Sequence, residues 1–221
     1  MSKIAAVIWD MDGVIADTAP HHLHAWRETF ARRGIDFAEA DFMRGFGIRN
    51  DAIIKNVLGE QTTEAEIEAI AQEKEATFRG IIGHDIKPLP GVLELIRALY
   101  EKGIRMAIAS STVIENIRLI IGSLGITKYF QSVITGHDVT EGKPHPQVFL
   151  LAAQKLGAKP KNCLVIEDAV AGIKAAKGAG MYCVAITSSH PREKLKEADL
   201  IVDTLEEVTI KNLEKLLKSS G

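Results

Sequence analysis

The sequence predicts a doubly wound α/β core, interrupted after its first strand by an all-helical insertion. Three observations carry this expectation. From Gly91 onward short apolar runs alternate with helical stretches, the rhythm of a parallel sheet covered by helices on both faces. Ile4 to Trp9 is a short apolar run that stops at a turn, as a buried parallel strand does. Between that strand and Pro88-Leu89-Pro90-Gly91 the pattern is helical throughout.

The elements follow in chain order. Pro20 to Arg33 carries Leu23, Trp26 and Phe30 at helical spacing, and Gly34 stands where a helix ends. Thr63 with Glu66 forms a capping box for a helix running to about Ile82. Beyond Gly91, helices are expected at 92–102, 113–124, 146–156, 172–178 and 211–218. Strands are expected at 105–109, 132–135, 163–166, 182–186 and 200–202. The simplest architecture joins residues 1–15 and 90–221 into one core and leaves 16–89 as the helical insertion.

Composition excludes several classes of function. The 221 residues are 46% hydrophobic and 25% charged, an ordinary globular balance with enough apolar material for a full core. Lys and Arg number 27 against 29 acids, so the net charge of -2 provides no global attraction for nucleic acid or an anionic membrane. Cys163 and Cys183 both lie in apolar strand-like runs, which suits core packing better than a disulfide or a metal site. With no signal peptide and no apolar run of the roughly 18 residues a membrane span needs, a cytoplasmic protein is expected. A monomer is the separate expectation for its assembly.

The strand ends carry the chemistry. Strand one ends at Asp10-Met11-Asp12-Gly13-Val14, strand two at Ser110-Ser111-Thr112, and a later connection contains Gly142-Lys143-Pro144. The strand over 163–166 ends at Glu167-Asp168. Parallel strands present all their carboxyl ends at one edge, so these four loops converge however far apart they lie in sequence. Phosphoryl transfer needs such a set. A phosphate ester dianion repels a nucleophile until a hard cation offsets the charge, and aspartate oxygens suit Mg²⁺. One carboxylate attacks phosphorus, and a second acid two residues on handles the proton of the leaving oxygen and of the incoming nucleophile. Asp10 and Asp168 fit as cation ligands, and Asp12 as the acid and base. Lys143 fits as the charge-balancing lysine, and Ser110 as a hydroxyl donor to the phosphoryl oxygens. Taken singly, each has a plainer explanation: Ser110 as an N-cap, Lys143 as a surface lysine, Glu167-Asp168 as the cap of the following helix.

In this arrangement the chain resembles the haloacid dehalogenase superfamily, in the branch of β-phosphoglucomutases and small sugar-phosphate phosphatases. Asp10-Met11-Asp12-Gly13-Val14 resembles the family's first motif, Ala109-Ser110-Ser111 its second, Lys143-Pro144 its third and Glu167-Asp168 its fourth. The resemblance implies that Asp10 is the nucleophile and Asp12 the acid/base. It implies Mg²⁺ held by the Asp10 carboxylate, the Asp12 carbonyl and Asp168, with Glu167 at or beside the metal, and residues 16–89 as a cap. Asp17-Thr18, His22, Trp26 and Arg49 match positions resembling the mutase's hinge and sugar-binding residues, with Gly47, Ser111 and Thr112 completing the expected substrate contacts. One departure separates this chain from the mutases. Where they hold a second phosphate with a Ser-Lys-Asn run, this chain reads Thr112-Val113-Ile114, leaving Arg49 as the expected anion contact.

The expected activity is therefore Mg²⁺-dependent hydrolysis of a small phosphorylated metabolite, with β-phosphoglucomutase as the alternative. A zinc site on His21, His22 and His24 lacks a fourth ligand and a matching motif. A receiver-like signalling domain fits neither Asp12 nor the large insertion. A dinucleotide fold lacks Gly-x-Gly-x-x-Gly after strand one.

Overall fold

The computed structural model describes residues 4–83 and 86–217. Six parallel strands form one sheet in the order β3-β2-β1-β4-β5-β6, the doubly wound arrangement. They are β1 (Ala6–Trp9), β2 (Arg105–Ala109), β3 (Ser132–Ile134), β4 (Cys163–Glu167), β5 (Tyr182–Ile186) and β6 (Leu200–Val202). Because β1 lies between β2 and β4, with Trp9 level with both Ile108 and Ile166, its carboxyl end opens at the switch point of the sheet.

Strand residues alternate between two apolar layers, as a period of two requires. Val7, Trp9, Met106, Ile108, Leu164 and Ile166 pack under α5 (Val92–Glu101), α6 (Ile114–Ser123) and α9 (Ile210–Leu216). Ala6, Ile8, Ala107, Ala109, Cys163, Val165 and Cys183 face α7 (Gln147–Lys155) and α8 (Val170–Gly178). Both cysteines are free and buried, in keeping with a packing role. The expected elements recur with their ends moved by a residue or two. One end of the last predicted helix, Lys218, lies outside the described residues.

Between β1 and α5 run α1 (Ala19–Ala31), α2 (Glu39–Gly45), α3 (Asn50–Leu58) and α4 (Glu64–Ile82). They form a helical cap with its own core, in which Trp26 stacks on Phe30 at 5.2 Å and Phe30 meets Phe37 at 5.0 Å. Ile53, Ile54, Ile67 and Ile70 complete it. The capping box forms as expected: Thr63 Oγ1 accepts from Glu66 N at 3.3 Å, and Glu66 Oε2 accepts from Thr63 N at 3.0 Å. The chain enters and leaves this segment through adjacent passages, for Ala16 bridges Pro88 and Leu89 N donates to Ile15 O at 3.0 Å. No helix among the described residues is long and apolar enough to cross a membrane.

Candidate active site

Asp10 sits one residue past β1 and is held in the sheet by its own amide, which donates to Ile166 O at 3.0 Å. Its carboxylate is buried against Lys143, whose Nζ donates to Asp10 Oδ1 at 2.5 Å and to Glu167 Oε1 at 2.7 Å. Glu167 Oε2 accepts from the amides of Asp168 and Ala169, both at 2.8 Å, so this carboxylate also shapes its own turn. Oxygens of Asp10, Glu167 and Asp168 all lie within 4.8 Å of one another. Four residues from three loops, 133 positions apart in sequence at the widest hydrogen bond, thus meet at the sheet edge.

Two glycines make the meeting possible. A Cβ at Gly13, where φ is +77°, would fall onto Asp168 Oδ2, and one at Gly172 would fall onto the Glu167 carboxylate.

The electrostatics of this group call for a cation. Three buried carboxylates face one ammonium, which leaves two negative charges uncompensated. Burial, with the charges of Glu167 and Asp12 added, pushes Asp10 up to about 7 despite the opposing pull of Lys143. Burial likewise raises Asp168, and the charges of Glu167 and Asp10 add to it. Burial pulls Lys143 down, but Asp10 and Glu167 more than reverse this and hold it above the usual lysine range. Asp168 Oδ2 accepts from Ser189 Oγ, whereas Asp168 Oδ1 is buried without a hydrogen-bond partner. An oxygen-only, doubly negative cluster with an orphaned carboxylate oxygen fits a hard divalent ion such as Mg²⁺, whose charge would bring both aspartates back to their ionised forms.

Asp12 points elsewhere. Its Oδ1 accepts from Thr18 Oγ1 at 2.6 Å and lies 3.1 Å from His22 Nε2. Any part that Asp12 plays in holding a metal therefore falls to its backbone carbonyl. On the far side of the imidazole, Lys74 Nζ is 2.8 Å from His22 Nδ1. An ammonium has no acceptor, so Nδ1 must accept and the ring proton belongs on Nε2, from which His22 donates to Asp12. Burial pushes Asp12 up, but the attraction and hydrogen bond of His22, the Thr18 hydroxyl and the charge of Lys74 outweigh it and hold the carboxyl below its ordinary value. His22 also stacks flat on Phe78, with centroids 3.9 Å apart. His24 instead pairs with exposed Glu28.

A narrow cavity lies between sheet edge and cap. Of the residues expected from the sequence, Asp10, Asp12, His22, Trp26, Gly47, Ser110, Ser111 and Thr112 line it. Ser110 Oγ accepts from Thr112 N at 3.3 Å, and Ser111 Oγ donates to Gly47 O at 2.9 Å, tying the β2 loop to the cap. Lys143, Glu167 and Asp168 stand behind Asp10, outside the lining. Arg49 is also outside it. Its guanidinium bonds Asp51 at 3.1 Å and Val139 O at 3.0 Å, so it fastens the cap to a core loop rather than facing the cavity.

Four polar residues in this region escaped the sequence reading. Lys74, Glu75 and Asn50 line the cavity, and Asn116 supports it from α6. One signal was legible: Lys74 occupies a position in the apolar stripe Ile67, Ile70, Phe78, Ile82 of α4 where a hydrophobic residue belongs.

Residues 4–180 match the family of haloacid dehalogenase-like hydrolases. The chain belongs to that family. It is 31% identical over 184 residues to the fructose-1-phosphate phosphatase YqaB of Escherichia coli (strain K12), covering 83% of this chain and 97% of that one. It is also 31% identical to a chloroplastic 5-amino-6-(5-phospho-D-ribitylamino)uracil phosphatase of Arabidopsis thaliana, spanning 95% of this chain but only 57% of the longer relative. Among solved structures, a β-phosphoglucomutase from Clostridium difficile superposes with a TM-score of 0.89 at 30% identity, covering 98% of each chain. This haloacid dehalogenase-like enzyme thus has both phosphatases and a phosphoglucomutase among its relatives.

Proposed function

We propose that this chain is a Mg²⁺-dependent phosphohydrolase of a small phosphorylated metabolite, a sugar phosphate, acting through an aspartyl phosphate on Asp10. The observation that carries the reading is the buried Asp10-Lys143-Glu167-Asp168 cluster, with its unpartnered Asp168 oxygen, opening onto a cavity shared with Asp12. The relatives named as phosphatases support it.

An Asp10 oxygen attacks phosphorus, forming the acyl phosphate bond as the ester P–O bond breaks. Asp12 gives the leaving sugar oxygen its proton, then takes a proton from the water that attacks the phosphoaspartate, releasing phosphate and restoring Asp10. The base half is ready in the free enzyme, because Asp12 is held ionised. The acid half draws on the incoming dianion, whose negative charge raises the affinity of Asp12 for a proton. Lys143 and Ser110 balance and bind the phosphoryl oxygens. Asp10, Asp168, the Asp12 carbonyl and the neighbouring Glu167 would hold Mg²⁺, which neutralises charge on the transferring group. Gly47, Ser111, Thr112, His22 and Trp26 meet the rest of the substrate, and residues 16–89 act as a cap whose separation from the core admits it.

The test is phosphate release from a panel of sugar phosphates with Mg²⁺. Activity that disappears in Asp10→Asn supports the assignment, and an unaltered rate in that variant removes Asp10 as nucleophile. A second reading, β-phosphoglucomutase, is favoured by the likeness to the clostridial enzyme. It predicts glucose 6-phosphate from β-glucose 1-phosphate primed by a bisphosphate, whereas free phosphate as the sole product excludes it.

A further inference from the structure

The cavity carries a second buried carboxylate system on its cap side. Glu75 of α4 is 3% exposed and lines the same cavity as Asp10. Its Oε1 accepts from Lys74 Nζ at 2.8 Å and from Asn50 Nδ2 at 2.7 Å, and its Oε2 accepts from Asn116 Nδ2 at 2.6 Å. Asn116 is oriented in turn. Its carbonyl oxygen accepts from Arg79 at 3.1 Å, which turns the amide donors towards Glu75 and Thr112. Two helices of the cap, α3 and α4, and one of the core, α6, thus converge to hold one carboxylate in place.

Through Lys74 and His22 this network reaches Asp12. Glu75 itself is bonded to Lys74, Asn50 and Asn116, and its carboxylate lines the cavity that Asp10 and Asp12 share. Burial pushes the Glu75 carboxyl up, but the charge of Lys74 and the surrounding hydrogen bonds hold it below its usual range, so it stands ionised. Lys74, the cation in the lining, is already shared between His22 and Glu75. Arg49, the other cation expected to meet an anion, is bound to Asp51 and loop carbonyls. A second phosphate entering here would meet a negative charge in a desolvated setting with its neighbouring cations committed. A hydroxyl group would meet an acceptor, since Glu75 Oε2 has a lone pair beyond the one that Asn116 uses.

We propose that Glu75 is a specificity residue that admits sugar or polyol monophosphates by accepting a tail hydroxyl and rejects bisphosphates of the same skeleton. This rests on the phosphohydrolase reading above and narrows its substrate class.

The experiment compares kcat/KM within matched pairs: fructose 1-phosphate with fructose 1,6-bisphosphate, glucose 6-phosphate with glucose 1,6-bisphosphate, ribulose 5-phosphate with ribulose 1,5-bisphosphate. Wild type should favour each monophosphate by about tenfold or more, the size of one unfavourable charge contact. Glu75→Gln should narrow that preference about tenfold, chiefly through KM for the bisphosphates, while Glu75→Asp keeps it. A wild type that takes both members of each pair within about threefold overturns the proposal, and needs no variant to fold. So does a folded Glu75→Gln protein whose preference is unchanged. If wild type releases phosphate from none of these compounds, the parent reading fails, and calorimetric titration of Asp10→Asn with the same pairs still decides this one. Tighter binding of the monophosphate supports it; equal or tighter binding of the bisphosphate, or binding of neither, overturns it.

Discussion

Replacing Lys143 by methionine tests the charge logic of the site most directly. Methionine keeps most of the side-chain volume beside Phe149, whose ring centroid lies 4.9 Å from Nζ, but removes the partner of both Asp10 and Glu167. Breaking a buried ion pair from one side costs about 3–5 kcal/mol, because the remaining charge stays buried and unpaired. For a chain of this size that is a fall in Tm of roughly 6–20 °C. The loss should depend on pH in a defined direction. Without Lys143 the folded-state pKa of Asp10 rises beyond its value of about 7, and a raised acid costs nothing below its unfolded pKa and its full penalty above the folded one. Urea unfolding in chelator at about pH 8 and about pH 5 should therefore show a wide gap between wild type and Lys143→Met that narrows on acidification. A gap under about 1 kcal/mol, or one equal at both pH values, would refute the reasoning.

Three further outcomes follow from the same geometry. Asp10 and Asp168 are both raised by burial and neighbouring charge, so the metal-free protein loses stability as pH climbs from about 4 towards 7; added Mg²⁺ should raise Tm more at about pH 8 than at about pH 5.5, and an equal rise would count against the cluster as its site. Gly13→Ala puts a Cβ onto Asp168 at a φ of +77° and should cost about 1–3 kcal/mol together with most of the phosphatase activity; a fully active variant would show that Asp168 need not stay where it lies. Thr63→Ala removes the N-cap of α4, far from the site, and should lower stability by about 1 kcal/mol with kcat/KM unchanged, as thermal unfolding and steady-state assays would show.

Much of this protein was legible before folding is considered. The apolar run ending at Asp10 marked β1, and the alternation after Gly91 marked five further strands, because buried parallel strands repeat a local pattern. Parallel strands align their carboxyl ends, so the convergence of Asp10, Ser110, Lys143 and Glu167-Asp168 could be argued without coordinates. The cap was less legible. Periodicity reported helices between β1 and α5, but not that Arg49 would turn to Val139 and away from the cavity, nor that His22 would bridge Asp12 to Lys74. Those outcomes depend on how one helix packs across a loop from another segment, which no local period encodes.

The amino-acid order alone determined the layers of the core and the acids at its edge, since both follow from side chains that repeat every two residues and strands that run one way. Tertiary packing alone decided which buried charges find partners: Lys143 between two carboxylates, Asp168 with one oxygen left over, Glu75 clamped by residues 25 and 41 positions away. A buried charge is tolerable only when opposite charge or hydrogen bonds reach it, and those partners are supplied by distant parts of the chain once the cap lies against the sheet.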